Sequence, residues 1–339
     1  MSTDVKPFQI SIPQDAIIDL KQRLSFCRFP DELDSAAWDY GAPLEDVRRL
    51  ARYWETEFNW RKIESRLNDD LPQFITKIKS KDSFGEINVH FVHQRSDVEN
   101  AIPLLFIHGF AQGGDWGAMI CRMLAKYHPI CCKAIHINMD MSTEPPRWTR
   151  NPILALQHMI TPYTEREKRG KVSSQRFSVE GSGYMAQQMT SPQTLGYSLA
   201  DSPVGLLAWI YEKLHVWTDA YPWTDEEICT WISIYWFLTA GPAASLRIYR
   251  EFFKSDRSEV MGSYIPTVKT GISYFPEEIS SHPKTWMKAC APVVFQSEHD
   301  TGGHFAAYEQ PDLLAEDLRR MFGKGGGAYG VVSEKDGYL

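Results

Sequence analysis

The sequence predicts an α/β protein with a parallel β-sheet, a helical N-terminal extension and a helical lid. Apolar segments typical of strands stand at 101–109 ("AIPLLFIHG") and 131–141 ("CCKAIHINMDM"), and a helix pattern lies between them. A glycine-flanked turn, "GGDWG" at 113–117, precedes that helix. Strand, turn, helix and strand in this order form a βαβ unit, which predicts a parallel sheet.

Two helix patterns lie within residues 1–75, which we expect to form an extension outside the sheet. Apolar residues recur every three to four positions in 12–24 and 44–67, which is the spacing of one helix face. They are Ile17, Leu20 and Leu24 in the first pattern and Leu50, Tyr53, Trp54 and Phe58 in the second.

Further strands and a closing helix complete the predicted core. The alternating segment "GEINVHFVHQ" at 85–94 is typical of a strand, and the continuous apolar run at 101–109 is typical of a buried parallel strand. A last strand is expected at 291–300 and a helix at 310–322. The glycine-rich stretch "GKGGGAYG" at 323–330 is expected to be flexible.

A helical insert separates the two halves of the core. It contains two aromatic-rich helix patterns, "VGLLAWIYEKLHVW" and "WTDEEICTWISIYWFLT", and Thr224 with Glu227 has the capping-box spacing in the second. An insert of this kind commonly covers a pocket. The predicted division is an extension of residues 1–75, a core of 76–145 and 263–339, and a lid of 146–262.

Composition excludes several classes of function. The net charge of -7 gives no basic footprint for nucleic acid or an anionic membrane. Six cysteines without a CxxC spacing predict a reduced, cytoplasmic chain rather than a disulfide framework or a zinc site. We find no apolar run of about 18 residues and no signal-peptide pattern, so no membrane span is predicted.

Asp115 is the candidate nucleophile. It stands in "GGDWG", where small flanking residues allow a sharp strand-to-helix turn that holds one side chain out over the sheet. A carboxylate there can attack a carbon atom and form an ester intermediate. That chemistry suits displacement at an sp3 carbon, as in an epoxide or an alkyl halide.

His304, in "TGGHFAAYEQP", is the candidate general base because it follows the last predicted strand directly after two glycines. The orienting acid is open among Glu277, Glu278, Glu298 and Asp300, since any carboxylate on a loop near His304 would serve. Glu298 and Asp300 are close in sequence but are typical of solvated turn residues.

Tyr184 in "GSGYMAQQ" and Tyr249 in "LRIYREF" lie in the predicted lid. A phenol can donate a proton to a leaving oxygen, although core packing explains most tyrosines. The segment from His108 to Phe110 ends a predicted strand, and a backbone N–H after such a turn can stabilise an oxyanion.

Taken together, these segments resemble the microsomal-type epoxide hydrolase family, which has an α/β-hydrolase fold and an N-terminal extension. The resemblance covers nearly the whole chain. The motifs are specific to the family when they occur together, whereas any one of them alone would be weak evidence. Its motifs are "PFQISIP", "FNWRKIESRLN", "FVHQRS", "AQGGDWG", "SGYM", "LADSPVGLLAWIYEKLHVWTD", "FPEE", "GGHFAAYEQP" and "DLRRMFG".

The resemblance implies a role for each candidate residue. It implies that Asp115 is the nucleophile, that His304 activates water, and that Glu278, the last residue of "FPEE", orients His304. It implies that the two lid phenols, Tyr184 and Tyr249, polarise the epoxide oxygen. The backbone N–H groups of Trp116 and Phe110 would form the oxyanion hole.

The implied reaction opens a small apolar epoxide with water to a vicinal diol and needs no cofactor or metal. It implies a place in aromatic hydrocarbon catabolism or detoxification. The implied partners are the epoxide and water, with no nucleic acid and no membrane span, and a homodimer is a further expectation.

One block of the family pattern is missing from this sequence. The family has HGxPG after its strand, then a helix, a second strand and a helix before the strand that leads into AQGGDWG. Here "HGF" runs directly into "AQGGDWG", so two strands and two helices are absent. We therefore expect unpaired strand edges in a truncated sheet.

The single remaining strand, Leu104 to Gly109, is expected to take the position of the strand that leads into Asp115. The N–H of Phe110 would then lie only six residues before that of Trp116, which predicts an incomplete oxyanion hole and weak or absent turnover. Loss of one donor lowers the rate by about 10²–10³ in a known hydrolase.

Two other functions stay open at this point. A catalytically dead remnant would act as a binding or oligomerisation protein, which the missing block favours. A dehalogenase-like hydrolase would also use an aspartate at the turn, but Tyr184 and Tyr249 favour an epoxide over a halide.

Overall fold

The structure, a computed structural model, describes residues 4–79, 85–107, 115–142 and 144–338. His108, Gly109 and Phe110 lie outside the described residues. The described chain forms two compact units. The first comprises Met1–Asp97, Tyr197–Glu212 and Trp223–Pro242, and the second comprises Val98–Gly196, Lys213–Pro222 and Ala243–Leu339.

Helices make up most of the described regular structure. In chain order they are α1 (Gln14–Ser25), α2 (Leu44–Thr56), α3 (Trp60–Asp70), α4 (Asp115–Tyr127), α5 (Pro152–Ile160), α6 (Glu165–Arg176), α7 (Gly183–Thr190), α8 (Pro192–Asp201), α9 (Pro203–Val216), α10 (Asp225–Phe237), α11 (Leu246–Lys254), α12 (Lys284–Lys288), α13 (Ala306–Glu309) and α14 (Pro311–Phe322). Within the described ranges, no helix is long and apolar enough to cross a membrane.

The first unit contains an antiparallel sheet and the predicted N-terminal helices. Its strands are β1 (Lys6–Pro7), β2 (Gln73–Lys79) and β3 (Glu86–Val92), in the order β1-β2-β3. On one face of the sheet the rings of Phe74 and Phe91, which are opposite each other in the register, stack at 5.7 Å. Cross-strand aromatic pairs of this kind stabilise an antiparallel register.

The single helix pattern predicted at 44–67 is two helices in the structure. Helix α2 ends at Thr56, and α3 begins at Trp60 after Asn59, whose side chain accepts a hydrogen bond from the Lys62 N–H. That capping bond satisfies one free N–H at the start of α3 and favours a new helix over a continuous one. The buried Trp54 of α2 donates from Nε1 to Ser233 Oγ of α10 at 2.9 Å.

The second unit contains the parallel sheet, in the order β4-β5-β6. Its strands are β4 (Ala134–Ile137), β5 (Lys269–Tyr274) and β6 (Val293–Glu298). Successive residues of β5 point to opposite faces. Ile272 packs in one cluster with Ala118 and Met119 of α4, while the Ser273 Oγ donates to Asp317 Oδ2 of α14 at 2.6 Å. Helices therefore cover both faces, as the predicted α/β class requires.

The prediction of a buried strand at 101–109 is wrong over the described residues. Residues 101–107 are irregular, and the side chains of Leu104, Leu105 and Phe106 are 64%, 70% and 53% exposed. A parallel strand is stable only where neighbouring strands accept its backbone hydrogen bonds, and none of the described strands pairs with this segment. It therefore does not take the position expected before Asp115.

Other predictions have mixed outcomes. The strands predicted at 85–94, 131–141 and 291–300 and the closing helix at 310–322 are confirmed, as is the Thr224–Glu227 capping box. Strand β5 was not predicted. The three-part division into extension, core and lid stays a prediction.

Part of the glycine-rich stretch 323–330 contacts α14 and β6, and its flexibility stays a prediction. The Ala328 N–H donates to the Met321 carbonyl at 3.0 Å, and Gly327 lies against Val294 of β6. A Cβ on Gly327 would overlap the Val294 carbonyl oxygen and lie 2.8 Å from its Cβ. Glycine at this position allows close approach to the sheet.

Replacement of Gly327 should therefore destabilise the second unit. We expect Gly327→Ala to lower the free energy of unfolding by about 1–3 kcal/mol, because the methyl group must displace strand backbone. Thermal and urea denaturation measure the change. The matched control is Gly183→Ala, since a Cβ there would have no atom within 4 Å. Equal stability of both variants would contradict this packing.

Candidate active site

Asp115 is the first residue of α4 and has an unusual backbone conformation. Its φ is +47°, a left-handed value that costs a side-chain-bearing residue about 1–3 kcal/mol and occurs often at functional sites. Its N–H donates to the Met139 Sδ, which follows β4, at 3.1 Å. The free N–H groups at the start of α4 favour a negative charge on the Asp115 side chain.

His304 and Glu278 form a buried pair. The Nδ1 of His304 lies 2.7 Å from Oε1 of Glu278, and the two residues are 0% and 3% exposed. Glu278 follows β5 and His304 follows β6, so adjacent parallel strands deliver both loops to the same sheet edge. With Nδ1–H donating to the carboxylate, the His304 Nε2 holds the lone pair of a general base.

The charges around His304 control its protonation. Burial alone lowers the pKa of His304, but the charge and hydrogen bond of Glu278, with smaller contributions from Asp115 and Glu309, raise the pKa above its ordinary value of 6.5. The effect of Asp115 indicates that its carboxylate lies within electrostatic range of the imidazole.

Tyr184 of α7 and Tyr249 of α11 lie together. Their ring centroids are 6.0 Å apart and nearly perpendicular, and Tyr249 also packs edge-to-face on Trp116 at 5.0 Å. Burial, followed by the charge of Asp115, raises the pKa of both phenols well above the ordinary value of 10. Both therefore stay protonated at neutral pH and can donate a proton.

The remaining candidates for the orienting acid make other contacts. Glu298 pairs with Lys284 at 2.9 Å, and Asp300 is exposed and lies 3.8 Å from Arg166. Glu277 contributes its backbone N–H, which donates to the Gly302 carbonyl at 3.2 Å. Among these four carboxylates, Glu278 bonds the imidazole.

Of the two predicted oxyanion donors, Trp116 lies within the described residues and Phe110 does not. Trp116 follows Asp115 in the first turn of α4, and its ring also packs on Phe252 at 5.1 Å. Phe110 lies outside the described residues, so its predicted role stays a prediction.

Trp217 is a site residue that sequence reasoning missed. Its carbonyl accepts the His304 N–H at 2.8 Å, and its ring lies 5.1 Å from both the imidazole and the Tyr184 ring. Lys213, one helical turn earlier, is buried, with Nζ 5.0 Å from the Tyr184 ring centroid. Lys213 and Trp217 are four positions apart in the sequence, the spacing at which side chains meet on one helix face, and this spacing could have identified the pair.

The arrangement brings together a carboxylate at the start of α4, an imidazole oriented by a carboxylate, and two protonated phenols. This set can open a strained ether and then hydrolyse the resulting ester. Across the part of the chain that the structure describes, no cluster of three His, Cys, Asp or Glu side chains is arranged to hold a metal ion.

The charge of Glu278 should make the largest contribution to the raised pKa of His304. We expect Glu278→Gln to lower the pKa of His304, because the amide removes the carboxylate charge and the accepted hydrogen bond weakens. NMR titration of the imidazole measures this. Glu298→Gln, which alters a carboxylate bonded to Lys284, is the control, and an equal pKa in the two variants would exclude the assigned pairing.

Comparison with known proteins shows that this chain is similar to epoxide hydrolases. The family model for the epoxide hydrolase N terminus matches residues 5–113. A provisionally named epoxide hydrolase of Stigmatella aurantiaca is 32% identical over 395 positions, covering 94% of this chain and 84% of the relative. Epoxide hydrolase 1 of Sus scrofa is 27% identical, covering 94% of this chain and 88% of the relative.

Solved structures agree on the fold. The Aspergillus niger epoxide hydrolase superposes with a TM-score of 0.71 at 25% identity, covering 94% of this chain and 95% of that chain. The juvenile hormone epoxide hydrolase of Bombyx mori has a TM-score of 0.74 at 22% identity, covering 94% and 93%, and supports the fold alone. Both are epoxide hydrolases by name.

The Stigmatella alignment spans 395 positions, more than the 339 residues of this chain, so the relative contains segments without a counterpart here. That length difference agrees with the missing block. With 32% identity across nearly its full length, the chain belongs to the epoxide hydrolase family.

Proposed function

We propose that this hydrolase opens a small apolar epoxide to a vicinal diol through an ester on Asp115. The observation that carries the proposal is the buried hydrogen bond between His304 and Glu278, in which the pKa of His304 is also raised by the charge of Asp115. A base near a carboxylate nucleophile serves a reaction in which the ester is later hydrolysed by water.

In the first step, a carboxylate oxygen of Asp115 bonds to an epoxide carbon and the carbon–oxygen bond of the ring breaks. The epoxide oxygen takes the electron pair and receives a proton from Tyr184 or Tyr249. A raised phenol pKa supports this role, because the donor is fully protonated at neutral pH.

In the second step, His304 Nε2 takes a proton from water, and the hydroxide adds to the carbonyl carbon of the ester. Collapse of the tetrahedral intermediate breaks the ester bond and releases the diol oxygen. The protons held by His304 and by the Asp115 carboxyl then return to the diol and to the tyrosine. The N–H groups of Trp116 and Phe110 are the proposed oxyanion donors.

The paired phenols distinguish an epoxide from a halide substrate. Halide leaves as a stable anion, whereas the epoxide oxygen becomes an alkoxide that needs a proton donor. Tyr184 and Tyr249 lie together near Asp115, which favours the epoxide reaction over dehalogenation. The aromatic surroundings of Trp116 and Trp217 support an apolar or aryl epoxide.

Two further properties stay predictions. Homodimer formation rests on the resemblance alone. A cytoplasmic location is proposed from the cysteine pattern, and all six cysteines are free thiols in the structure.

Diol formation tests the proposed reaction. We expect the purified chain to convert aryl and alkyl epoxides to diols, and Asp115→Asn to lower the rate at least about 10³-fold, since the nucleophile is lost. Chromatography of the diol measures this. Asp312→Asn, an exposed carboxylate at the start of α14, is the control.

Equal diol formation by the parent and Asp115→Asn would refute Asp115 as nucleophile. A parent that melts cooperatively but forms no diol would instead support the remnant function.

The dependence of kcat on pH follows from the shifted pKa values. His304 acts only when neutral, and its pKa is raised, so kcat should fall as pH decreases through a value above 6.5. Both phenols act only when protonated, and their pKa values are raised, so kcat should not fall near pH 10. Rates measured between about pH 5 and 11 check both limits. A decline centred near pH 10 would contradict the phenol assignment.

A further inference from the structure

The loop that carries His304 is held at its backbone by a carboxylate with no role in the proposed reaction. Glu309 is the last residue of α13, five positions after His304. Its Oε1 accepts the Gly303 N–H at 3.1 Å, and its Oε2 accepts the Asp219 N–H at 2.8 Å. One side chain thus connects the His304 loop to the segment that follows α9.

Two more hydrogen bonds join the same segments. The Gly302 N–H donates to the Asp219 Oδ2 at 2.8 Å, and the His304 N–H donates to the Trp217 carbonyl at 2.8 Å. The backbone N–H of each residue from Gly302 to His304 therefore has a partner in residues 217–219 or in Glu309. Hydrogen bonds that an ionised carboxylate accepts are stronger than those between neutral groups, so Glu309 and Asp219 stabilise the position of this loop.

The loop packs closely against the segment that follows α9. A Cβ on Gly303 would lie 2.5 Å from the Trp217 carbonyl oxygen and 3.0 Å from the Thr218 Cα. Gly302 has a φ of +103°, which a side chain would strain. Loss of the Glu309 bonds would release backbone whose position depends on this close contact.

Glu309 also acts on the imidazole through its charge. It is among the carboxylates that raise the pKa of His304, after Glu278 and Asp115. Burial raises the pKa of Glu309 itself, although the N–H groups of Asp219 and Gly303 favour its charged form.

We propose that Glu309 is a positioning residue for the second step, which fixes the His304 backbone so that Nε2 is aimed at the hydrolytic water. This inference rests on the proposed function, because only ester hydrolysis uses His304. Attack by Asp115 and proton donation by the phenols do not need the base. Substitution of Glu309 should therefore slow hydrolysis of the ester and leave its formation unchanged.

The test compares Glu309→Gln with Glu309→Asp in the full-length chain. The amide in Glu309→Gln removes the charge and places a donor against a backbone N–H, whereas the aspartate keeps the charge with a shorter reach. Glu316→Gln, an exposed carboxylate on α14, is the matched control.

Rapid quench and mass spectrometry of the protein follow the ester on Asp115. In Glu309→Gln we expect the ester to form at the parental rate and to be hydrolysed about 10- to 100-fold more slowly. Glu309→Asp should recover part of that loss. A merely structural defect would instead reduce the amount of active protein and leave the rate constants of both steps unchanged.

NMR titration of His304, assigned with His304→Gln, gives a readout that needs no turnover. We expect the His304 pKa to fall in Glu309→Gln and to stay near the parental value in Glu309→Asp and Glu316→Gln. An unchanged His304 pKa together with unchanged ester hydrolysis in Glu309→Gln would overturn the proposal. If Glu309→Gln does not fold, the rate of ester hydrolysis in Glu309→Asp tests the proposal, and a parental rate would overturn it.

The two proposals fail in different ways. If the parent forms neither ester nor diol, the proposed function fails, while the titration still tests the effect of Glu309 on His304. If the parent turns over and Glu309→Gln behaves like Glu316→Gln, only the positioning role fails.

Discussion

The buried hydrogen bond between His304 and Glu278 imposes the strictest requirement on this fold. A carboxylate and an imidazole with almost no exposed surface must meet at 2.7 Å, and each must lose its hydration to do so. Only the parallel pairing of β5 and β6 can satisfy this, because it ends both strands at one edge. The helices on the two faces of that sheet, and the close approach of the chain at Gly303, keep the edge in place. The three described strands of this sheet, β4, β5 and β6, are enough to position this pair.

The other functional groups depend on this pair through charge. The charge of Asp115 raises the pKa of His304 and of both phenols. The same charge therefore keeps the phenols protonated and moves the pH at which the imidazole becomes neutral to a higher value. Asp115 also has a left-handed φ, a backbone conformation that costs free energy in a residue with a side chain. Local strain therefore occurs at the residue whose charge acts on His304 and on both phenols.

Asp115 and His304 could be singled out from the sequence because each stands in a short motif with distinctive neighbours. Both tyrosines received their predicted roles only from the family resemblance, since core packing explains most tyrosines. The orienting acid could not be chosen from the residues alone. Four carboxylates were near enough in sequence, and the choice depends on which strand end lies beside His304. Trp217 and Glu309 were missed for the same reason, since their contacts cross between segments far apart along the chain.

The incorrect strand prediction at 101–107 is the opposite error, because an apolar run forms a strand only where partner strands exist. Strand β5 was missed because Thr270, Gly271 and Ser273 make its sequence look like a loop.

The apolar segment from Leu104 to Phe106 has a consequence for the life of the protein in a cell. Three consecutive large apolar side chains in irregular, exposed chain are what chaperones bind and what proteases with apolar specificity cleave. This segment is therefore accessible to chaperones and proteases in the folded chain as well as in its unfolded form. We expect the amount of this protein in a cell to depend on how quickly that segment is covered or cleaved, even where the catalytic groups are fully formed.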